Sequence, residues 1–227
     1  MQHLWLQGID FDQELSQPMQ HQWMKLFQEM SELNNVSFSR CLTPADANWD
    51  PILCIFSDAS EEVFRACAYF RLQLIDSTYD VKIHCSKITC SIVEETDNSR
   101  LELQVAVMQV LCIRQSLNKP KFPISKPIFL TDSIIVFAWI QKPERRFKPF
   151  VSNRVGEIQS TKDPSHWRHI PGEFNVADDV SRGISVKQLT ERWQHGPEFL
   201  YSPESEWPQD VSCPDQTEQE QEEHKYQ

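Results

Sequence analysis

The chain has 227 residues, of which 40% are hydrophobic, and it carries a formal net charge of −11. This composition supports a buried core and one domain with appendages, or two small domains. The longest apolar run, residues 134–140, is far shorter than the roughly 20 residues that cross a bilayer. The N-terminus also lacks a basic-then-apolar signal, so we expect a soluble, intracellular protein without a membrane segment.

The acidic charge is concentrated near the C-terminal end. Residues 203–227 carry eight acids and one base, whereas residues 49–202 hold 19 of each. Within that neutral part, "QKPERRFKPFVSNR" contains five basic residues and a single acid. The net charge therefore does not exclude a nucleic-acid partner. The basic residues are Lys142, Arg145, Arg146, Lys148 and Arg154.

In chain order, the first predicted element is a helix near the N-terminus. Its apolar residues recur at near-helical spacing, as at Trp23, Phe27 and Met30. Turn residues in "CLTPADANWDP" then indicate a boundary. The sequence therefore predicts a small helical appendage before the main domain.

Three β-rich runs follow, at residues 52–60, 65–73 and 81–88, with short polar breaks between them. This pattern predicts an antiparallel meander. Residues 98–118 then show apolar positions at helical spacing, with Asn98 or Ser99 as the N-cap, and predict a long helix.

The second half of the chain alternates between strands and helices. We predict a fourth strand, two helices, a fifth strand with a turn, and a single final helix, at residues 126–133, 133–141, 147–160, 165–172 and 175–193. From Ser202 onward the chain has almost no apolar side chains, so we expect disorder there, with residues 209–227 as a disordered tail. Together the elements predict an α/β fold with a mixed five-stranded sheet flanked by helices.

The seven cysteines include no C-x-x-C pair, and most lie within apolar stretches. Free thiols in such positions behave as small hydrophobic side chains. We therefore expect reduced core cysteines rather than a zinc site or a disulfide framework.

Four carboxylates stand in otherwise apolar surroundings. Asp58 and Asp132 each end a buried strand, whereas Glu102 lies in the first turn of the long helix and Asp178 near the start of the last one. Alone, each is typical of a turn, a cap or a helix-dipole partner. Together they can converge at one edge of the sheet, where carboxylates repel unless a cation joins them. A pair of divalent ions with oxygen ligands is suited to phosphodiester cleavage.

Several strings resemble the ribonuclease H-like region of BEL/Pao retrotransposon polyproteins. They are "FSDASEE", "SRLELQ", "TDSIIVFAWIQ", "RRFKPFVSNRVGEIQ", "WRHIPGEFNVADDVSRG" and "RWQHGPEF". The resemblance covers residues 49–208, and "LWLQGIDFD" and "FSRCLTP" are similar to the connection that follows the reverse transcriptase in that family.

The resemblance implies a ribonuclease H-like fold and two-metal-ion cleavage of RNA in RNA/DNA hybrids, with Mg²⁺ or Mn²⁺. Carried over by motif, Asp58 would bridge both ions. Glu102 and Asp132 would hold one ion, and Asp178 would complete the other.

The resemblance also bears on the fourth ligand and on the substrate. Asp178 is favoured over Asp179 because the ligand in the wider retroelement pattern directly follows an alanine, here Ala177. Ribonucleases H often carry a mobile histidine near the last acid, which favours His169. His166 would lie on the opposite face if this segment is a strand. The basic patch defined above is expected to contact phosphates.

Four regions follow from the resemblance and the composition. They are a helical connection at residues 1–48, a ribonuclease H-like domain at 49–190, a C-terminal extension at 191–208 and an acidic tail at 209–227. An RNA/DNA hybrid and the reverse transcriptase portion of a polyprotein are the implied partners, in the cytoplasm, in virus-like particles or in the nucleus. The alternative is a catalytically inactive nucleic-acid-binding or scaffold remnant of such a polyprotein.

Overall fold

The computed structural model describes residues 8–10, 12–39, 41–42, 44–48, 50–59, 63–90, 97–117, 126–182 and 184–208. The chain divides into two compact units, Met1–Ser37 and Phe38–Gln227.

The first unit contains the predicted N-terminal helix. Helix α1 spans Gln17–Glu32 and has a proline in its first turn, where a missing N–H costs no hydrogen bond. A 3₁₀ turn at Leu33–Asn35 follows it. Apolar side chains of α1 such as Met24 and Phe27 are exposed.

The second unit is built on the predicted five-stranded mixed sheet, which is confirmed. Its strands are β1 Ile52–Ala59, β2 Val63–Gln73, β3 Tyr79–Cys90, β4 Lys126–Thr131 and β5 Trp167–His169. They lie in the order β3-β2-β1-β4-β5. The first three strands are antiparallel, as the meander predicts, and β4 and β5 join parallel to β1. The carboxyl ends of β1, β4 and β5 therefore share one edge.

Helices of this unit follow the predicted order, with one difference. They are α2 Asn98–Leu117, α3 Ile134–Gln141, α4 Pro149–Thr161, α5 Val176–Arg182 and α6 Val186–Gln188. The single final helix predicted at residues 175–193 is wrong, because Ser185 begins a new helix through a capping box with Gln188. The fifth strand is also shorter than predicted, since Pro164–His166 forms a 3₁₀ turn before it.

One face of the sheet packs against α2, α3 and α4. Leu53, Ile55 and Phe129 point from the strands into this core, where they meet buried side chains such as Trp139 and Val151. Alternate residues of a strand point to opposite faces, so the intervening positions belong to the other core.

The other face is covered by α5 and by residues 193–207. Trp193, Phe199, Leu200 and Trp207 pack there against residues such as Tyr69. The segment thus forms part of the hydrophobic core of this unit.

Arg71 fixes this C-terminal segment to the sheet. It is buried, and its guanidinium donates from Nε to the Leu200 carbonyl and from Nη2 to the Ser202 carbonyl, both at 2.7 Å. The same guanidinium lies 3.6 Å from the ring centroid of Tyr79 and 5.2 Å from that of Trp207. A charged side chain can be buried in this way because both its donors and its flat faces are used.

The cysteines, the absence of a membrane segment and the C-terminal residues are also the subject of predictions. Cys54 and Cys67 are buried thiols in the core, whereas Cys41 and Cys85 are exposed. No helix in the described ranges is long and apolar enough to cross a membrane. The disorder expected from Ser202 onward is wrong for residues 202–208, because Trp207 is buried in the core there. The rest of that expectation, for residues 209–227, lies outside the described residues. The boundaries of the four predicted regions stay predictions.

Candidate active site

Asp58 lies near the carboxyl end of β1, on the face that α5 covers. Its neighbours of the same parity, Cys54 and Phe56, are buried in the core of that face. Antiparallel pairing sets Asp58 directly opposite Arg65 of β2. Their side chains form an ion pair, with Arg65 Nη1 3.7 Å from Asp58 Oδ2. The buried residues of β1 thus fix its position in the core, and Asp58 lies where the strand reaches the edge of the sheet.

Asp132 follows directly after β4, in a tight strand-to-helix connection. The Thr131 hydroxyl accepts from the Ser133 amide at 3.2 Å. The Ser133 hydroxyl in turn accepts from the Val136 amide at 3.3 Å and caps α3. These two hydroxyl oxygens turn the backbone at Asp132, which places it at the same edge as Asp58.

Glu102 approaches this edge from α2. It lies between the buried Leu101 and Leu103, which hold that helix against the sheet. Because α2 begins at Asn98, Glu102 is its fifth residue and stands just beyond the first turn, so the expectation that it lies in the first turn is wrong. The Ser133 side chain hydrogen-bonds to its carboxylate, so the cap of α3 also orients this acid.

Asp178 stands in the first turn of α5, and Asn175 fixes that turn beside β1. Asn175 is fully buried, and its Nδ2 donates to the Ser57 carbonyl at 2.8 Å. Its Oδ1 accepts from the Ala177 amide at 3.2 Å. One side chain therefore both caps the helix and ties it to the residue that precedes Asp58.

Asp178 and Asp179 face different surroundings. The Asp178 charge raises the pKa of both Asp58 and Asp132, although less than burial does. Asp179 instead pairs with Arg192, with Oδ2 3.1 Å from Nε. Asp178 is thus the member of this pair whose charge is felt by the other acids, and its assignment as the fourth ligand stays a prediction.

The acids disfavour one another's ionised forms. Burial, followed by the charges of Asp132 and Asp178, raises the pKa of Asp58 to about 6, while Arg65 opposes the rise. Burial, with the charges of Asp132 and Asp58, raises the pKa of Glu102 to about 7. The pKa of Asp132 is also raised, mainly by burial. Arg65 is thus a cation beside these acids, and it offsets only part of their mutual repulsion.

The donor set suits a divalent cation in its chemistry. All four side chains are carboxylates, the hard oxygen donors that Mg²⁺ and Mn²⁺ prefer. A cation would relieve the repulsion that, after burial, raises the pKa of Asp58, Glu102 and Asp132. Within the described ranges, no three His, Cys, Asp or Glu side chains are close enough to hold one metal ion together. The acids are therefore gathered at one edge without forming a closed set of ligands.

His169, at the end of β5, is only 7% exposed. Its Nε2 lies 3.2 Å from the backbone oxygen of Asp132, and its ring centroid lies 6.3 Å from that of Phe137. His166 precedes the strand, in the 3₁₀ turn. The structure thus brings His169 next to the acids, packed against the backbone, and its contact with substrate stays a prediction.

The basic patch is divided between exposed and packed residues. Arg145, Arg146 and Lys148 are exposed, and Lys142 is partly exposed. Arg154 instead packs between α4 and α2, because its Nε donates to Gln104 Oε1 at 2.5 Å and its guanidinium lies 3.6 Å from the Phe150 ring centroid. The exposed members lie before and at the start of α4.

Three residues that the sequence reasoning did not assign to the site interact with these acids: Asn175 with Asp132, Arg65 with Asp58 and Ser133 with Glu102. Asn175 has a detectable signal, because an Asn directly before a helix is a preferred N-cap. Arg65 could have been paired with Asp58 by counting outward from the break between the first two strands. Ser133 shows no signal beyond its capping position, because its bond to Glu102 joins two distant elements.

Comparison with protein families gives one match, to a family described as "Pao retrotransposon-like RNaseH-like domain", over residues 1–133. The match includes three of the four acids, all but Asp178. A search of curated proteins found no match.

The solved structures to which the chain is similar include ribonuclease H domains. The chain is similar to the N-terminal RNase H domain of a Mycobacterium tuberculosis protein, with 11% identity and a TM-score of 0.40 over 58% of this chain and 90% of that one. RNase H1 of Halobacterium salinarum is 10% identical with a TM-score of 0.36, and the match covers 60% of this chain and 99% of that one. LC11-RNase H1, solved with an RNA/DNA hybrid, is 15% identical with a TM-score of 0.38, and the match covers 58% of this chain and 93% of that one.

Proposed function

The chain belongs to the Pao retrotransposon-like RNaseH-like domain family, and from this membership and its acidic edge we propose that it is an endoribonuclease that cleaves RNA in RNA/DNA hybrids. The reaction is proposed to depend on Mg²⁺ or Mn²⁺, with two ions per site. The observation that carries the proposal is the convergence of acids from four separate elements, each within electrostatic reach of others.

In this proposal Asp58, Glu102, Asp132 and Asp178 hold the cations. Bound divalent cations supply an activated water and stabilise the leaving oxygen of the phosphodiester. The protein's contribution is to keep the acids rigid, through Ser133 on Glu102 and through the cap that ties Asp178 to β1.

The exposed basic residues Arg145, Arg146 and Lys148 are proposed to contact phosphates of the hybrid. Such contacts add affinity without base specificity. Recognition of the RNA strand then depends on the 2′-hydroxyl, which DNA lacks. Association with a reverse transcriptase portion of a polyprotein is part of the same proposal.

The test is cleavage of an end-labelled RNA/DNA hybrid in Mg²⁺, with duplex DNA and chelator as parallel reactions. We expect internal cuts in the RNA strand only, and none in chelator. Asp132→Asn should abolish cleavage, whereas Asp76→Asn should not, because Asp76 is an exposed turn residue that accepts from Thr78.

Two results would contradict the proposal. Equal cutting of duplex DNA would remove the hybrid specificity, and cutting that persists in chelator would remove the metal dependence. Binding of the hybrid without any cleavage in Mg²⁺ or Mn²⁺ would favour the alternative, a catalytically inactive nucleic-acid-binding remnant.

A further inference from the structure

Arg65 is a cation built into the acidic edge. Its Cα is paired with that of Asp58 across two antiparallel strands, and cross-strand partners point to the same face of a sheet. The backbone pairing therefore places the side chains of Arg65 and Asp58 on the same face, next to each other.

The Arg65 side chain is buried without full use of its donors. It is 10% exposed, and Asp58 is 17% exposed. Arg65 Nη1 is 3.7 Å from Asp58 Oδ2, which is too long for a hydrogen bond, and in the described part of the chain this nitrogen has no hydrogen-bond partner. Burial of a cation with an unmet donor is unfavourable unless a nearby anion compensates for it. The charge of Asp58 provides that compensation.

A divalent ion on Asp58 would have to share this carboxylate with Arg65. Even at the dielectric constant of water, a doubly charged ion about 6 Å from a guanidinium is repelled enough to weaken its binding about tenfold. The interior of a protein screens charges less than water does, so the effect is expected to be larger at a buried pair.

We propose that Arg65 is the resident counter-ion of Asp58, that it competes with divalent cations for this carboxylate, and that it thereby sets a low metal affinity for the site. The inference rests on the proposed metal-dependent function. It assigns Arg65 as a regulating residue of the metal site.

The experiment measures Mn²⁺ binding to the whole chain by calorimetry, without nucleic acid. Arg65→Gln keeps much of the length but removes the charge, and we expect its Mn²⁺ dissociation constant to fall at least tenfold. Arg65→Lys keeps the charge and should stay within about threefold of the parent. Equal affinities of the parent and Arg65→Gln, or no Mn²⁺ binding by either, would overturn the inference.

Arg168→Gln is the matched control. Arg168 lies in β5, and its guanidinium donates to the backbone oxygens of Ser165 and Trp167. The variant removes the same charge without touching Asp58, so we expect a change in Mn²⁺ affinity of less than about threefold. A gain as large as that of Arg65→Gln would show that net charge alone sets the affinity, and would overturn the inference.

A second measurement covers the case in which Arg65→Gln does not fold without metal. The side-chain N–H resonances of Arg65 in the parent are followed by NMR during titration with Mg²⁺, after assignment by comparison with Arg65→Lys. We expect them to shift as the cation displaces the ion pair, and unchanged resonances at saturating Mg²⁺ would overturn the inference.

The outcome is separable from that of the proposed function. Tighter Mn²⁺ binding by Arg65→Gln with no hybrid cleavage by the parent would refute the function and leave the inference standing. Hybrid cleavage by the parent, with equal Mn²⁺ affinities of the parent and Arg65→Gln, would support the function and refute the inference.

Discussion

Removal of the Glu102 charge should stabilise the protein in the absence of metal. Burial and neighbouring acids raise the folded pKa of Glu102 from 4.5 to about 7. A raised folded pKa means that the folded state is penalised once pH exceeds the unfolded value, because only the unfolded chain then loses the proton freely. The penalty is absent below about pH 4.5 and complete above about pH 7.

The pKa shift sets the size of the effect. At about 1.4 kcal/mol per pKa unit the penalty is at most roughly 3 kcal/mol. Gln keeps the acceptor oxygen for the bond from Ser133 and loses the charge, so Glu102→Gln should gain about 1 to 3 kcal/mol near pH 8. For a chain of this size that gain raises the melting temperature by about 2 to 10 °C.

The assay is urea unfolding followed by tryptophan fluorescence, with chelator present, at pH values from about 4.5 to about 8. The difference between Glu102→Gln and the parent should grow as pH rises through this range. Glu157→Gln, on the exposed face of α4, serves as the control and should stay within about 0.5 kcal/mol of the parent. Millimolar Mg²⁺ should stabilise the parent more than Glu102→Gln, since a ligand stabilises the state that binds it.

Two results would refute this reasoning. A Glu102→Gln protein that is no more stable than the parent near pH 8 would show that Glu102 carries no electrostatic penalty. A gain that is independent of pH would assign the effect to packing or helix propensity instead of charge.

Three further predictions concern other regions. Arg71→Gln should lower the free energy of unfolding by about 2 to 4 kcal/mol, because two carbonyls lose a charged donor. Limited proteolysis should then cut the variant after residue 190 before it attacks the sheet, and equal resistance of variant and parent would contradict this. The double variant Arg145→Gln, Arg146→Gln should bind the hybrid more weakly, and the slope of log affinity against log salt should fall by about 2. Fluorescence anisotropy measures both, and an unchanged slope would remove these residues from the interface. Deletion of residues 209–227 should leave the melting temperature within about 1 °C, because only three apolar residues lie in that range; a larger loss would mean that the tail packs on the fold.

The sequence predicts the sheet and the position of its acids well, for a physical reason. Apolar runs such as residues 52–56 must be buried, and a carboxylate at the end of such a run must lie at an edge. Because β1 and β4 are parallel, their carboxyl ends meet, and this geometry brings Asp58 and Asp132 to the same place.

What the sequence does not predict depends on contacts between distant segments. Helical spacing of apolar residues continues across the break before Ser185, so the spacing does not predict it. The break comes from the capping box, in which Ser185 and Gln188 exchange side-chain and backbone hydrogen bonds. The burial of Arg71 was missed because its partners, the carbonyls of Leu200 and Ser202, lie in a segment without regular periodicity. Backbone acceptors have no sequence signature.

The strand order has a consequence for how the protein folds. The β1–β2 hairpin pairs Ala59 with Phe64, whereas the parallel pairing of β1 and β4 joins Ile52 to Lys126 and must close a much longer loop. Loop closure of that length is slow, so the antiparallel half of the sheet is expected to form before the parallel half. Asp58 and Arg65 are therefore neighbours from an early stage, while Asp132 and Asp178 arrive late. The repulsion among the acids then acts on the late steps of folding, when the parallel strands join the antiparallel half of the sheet.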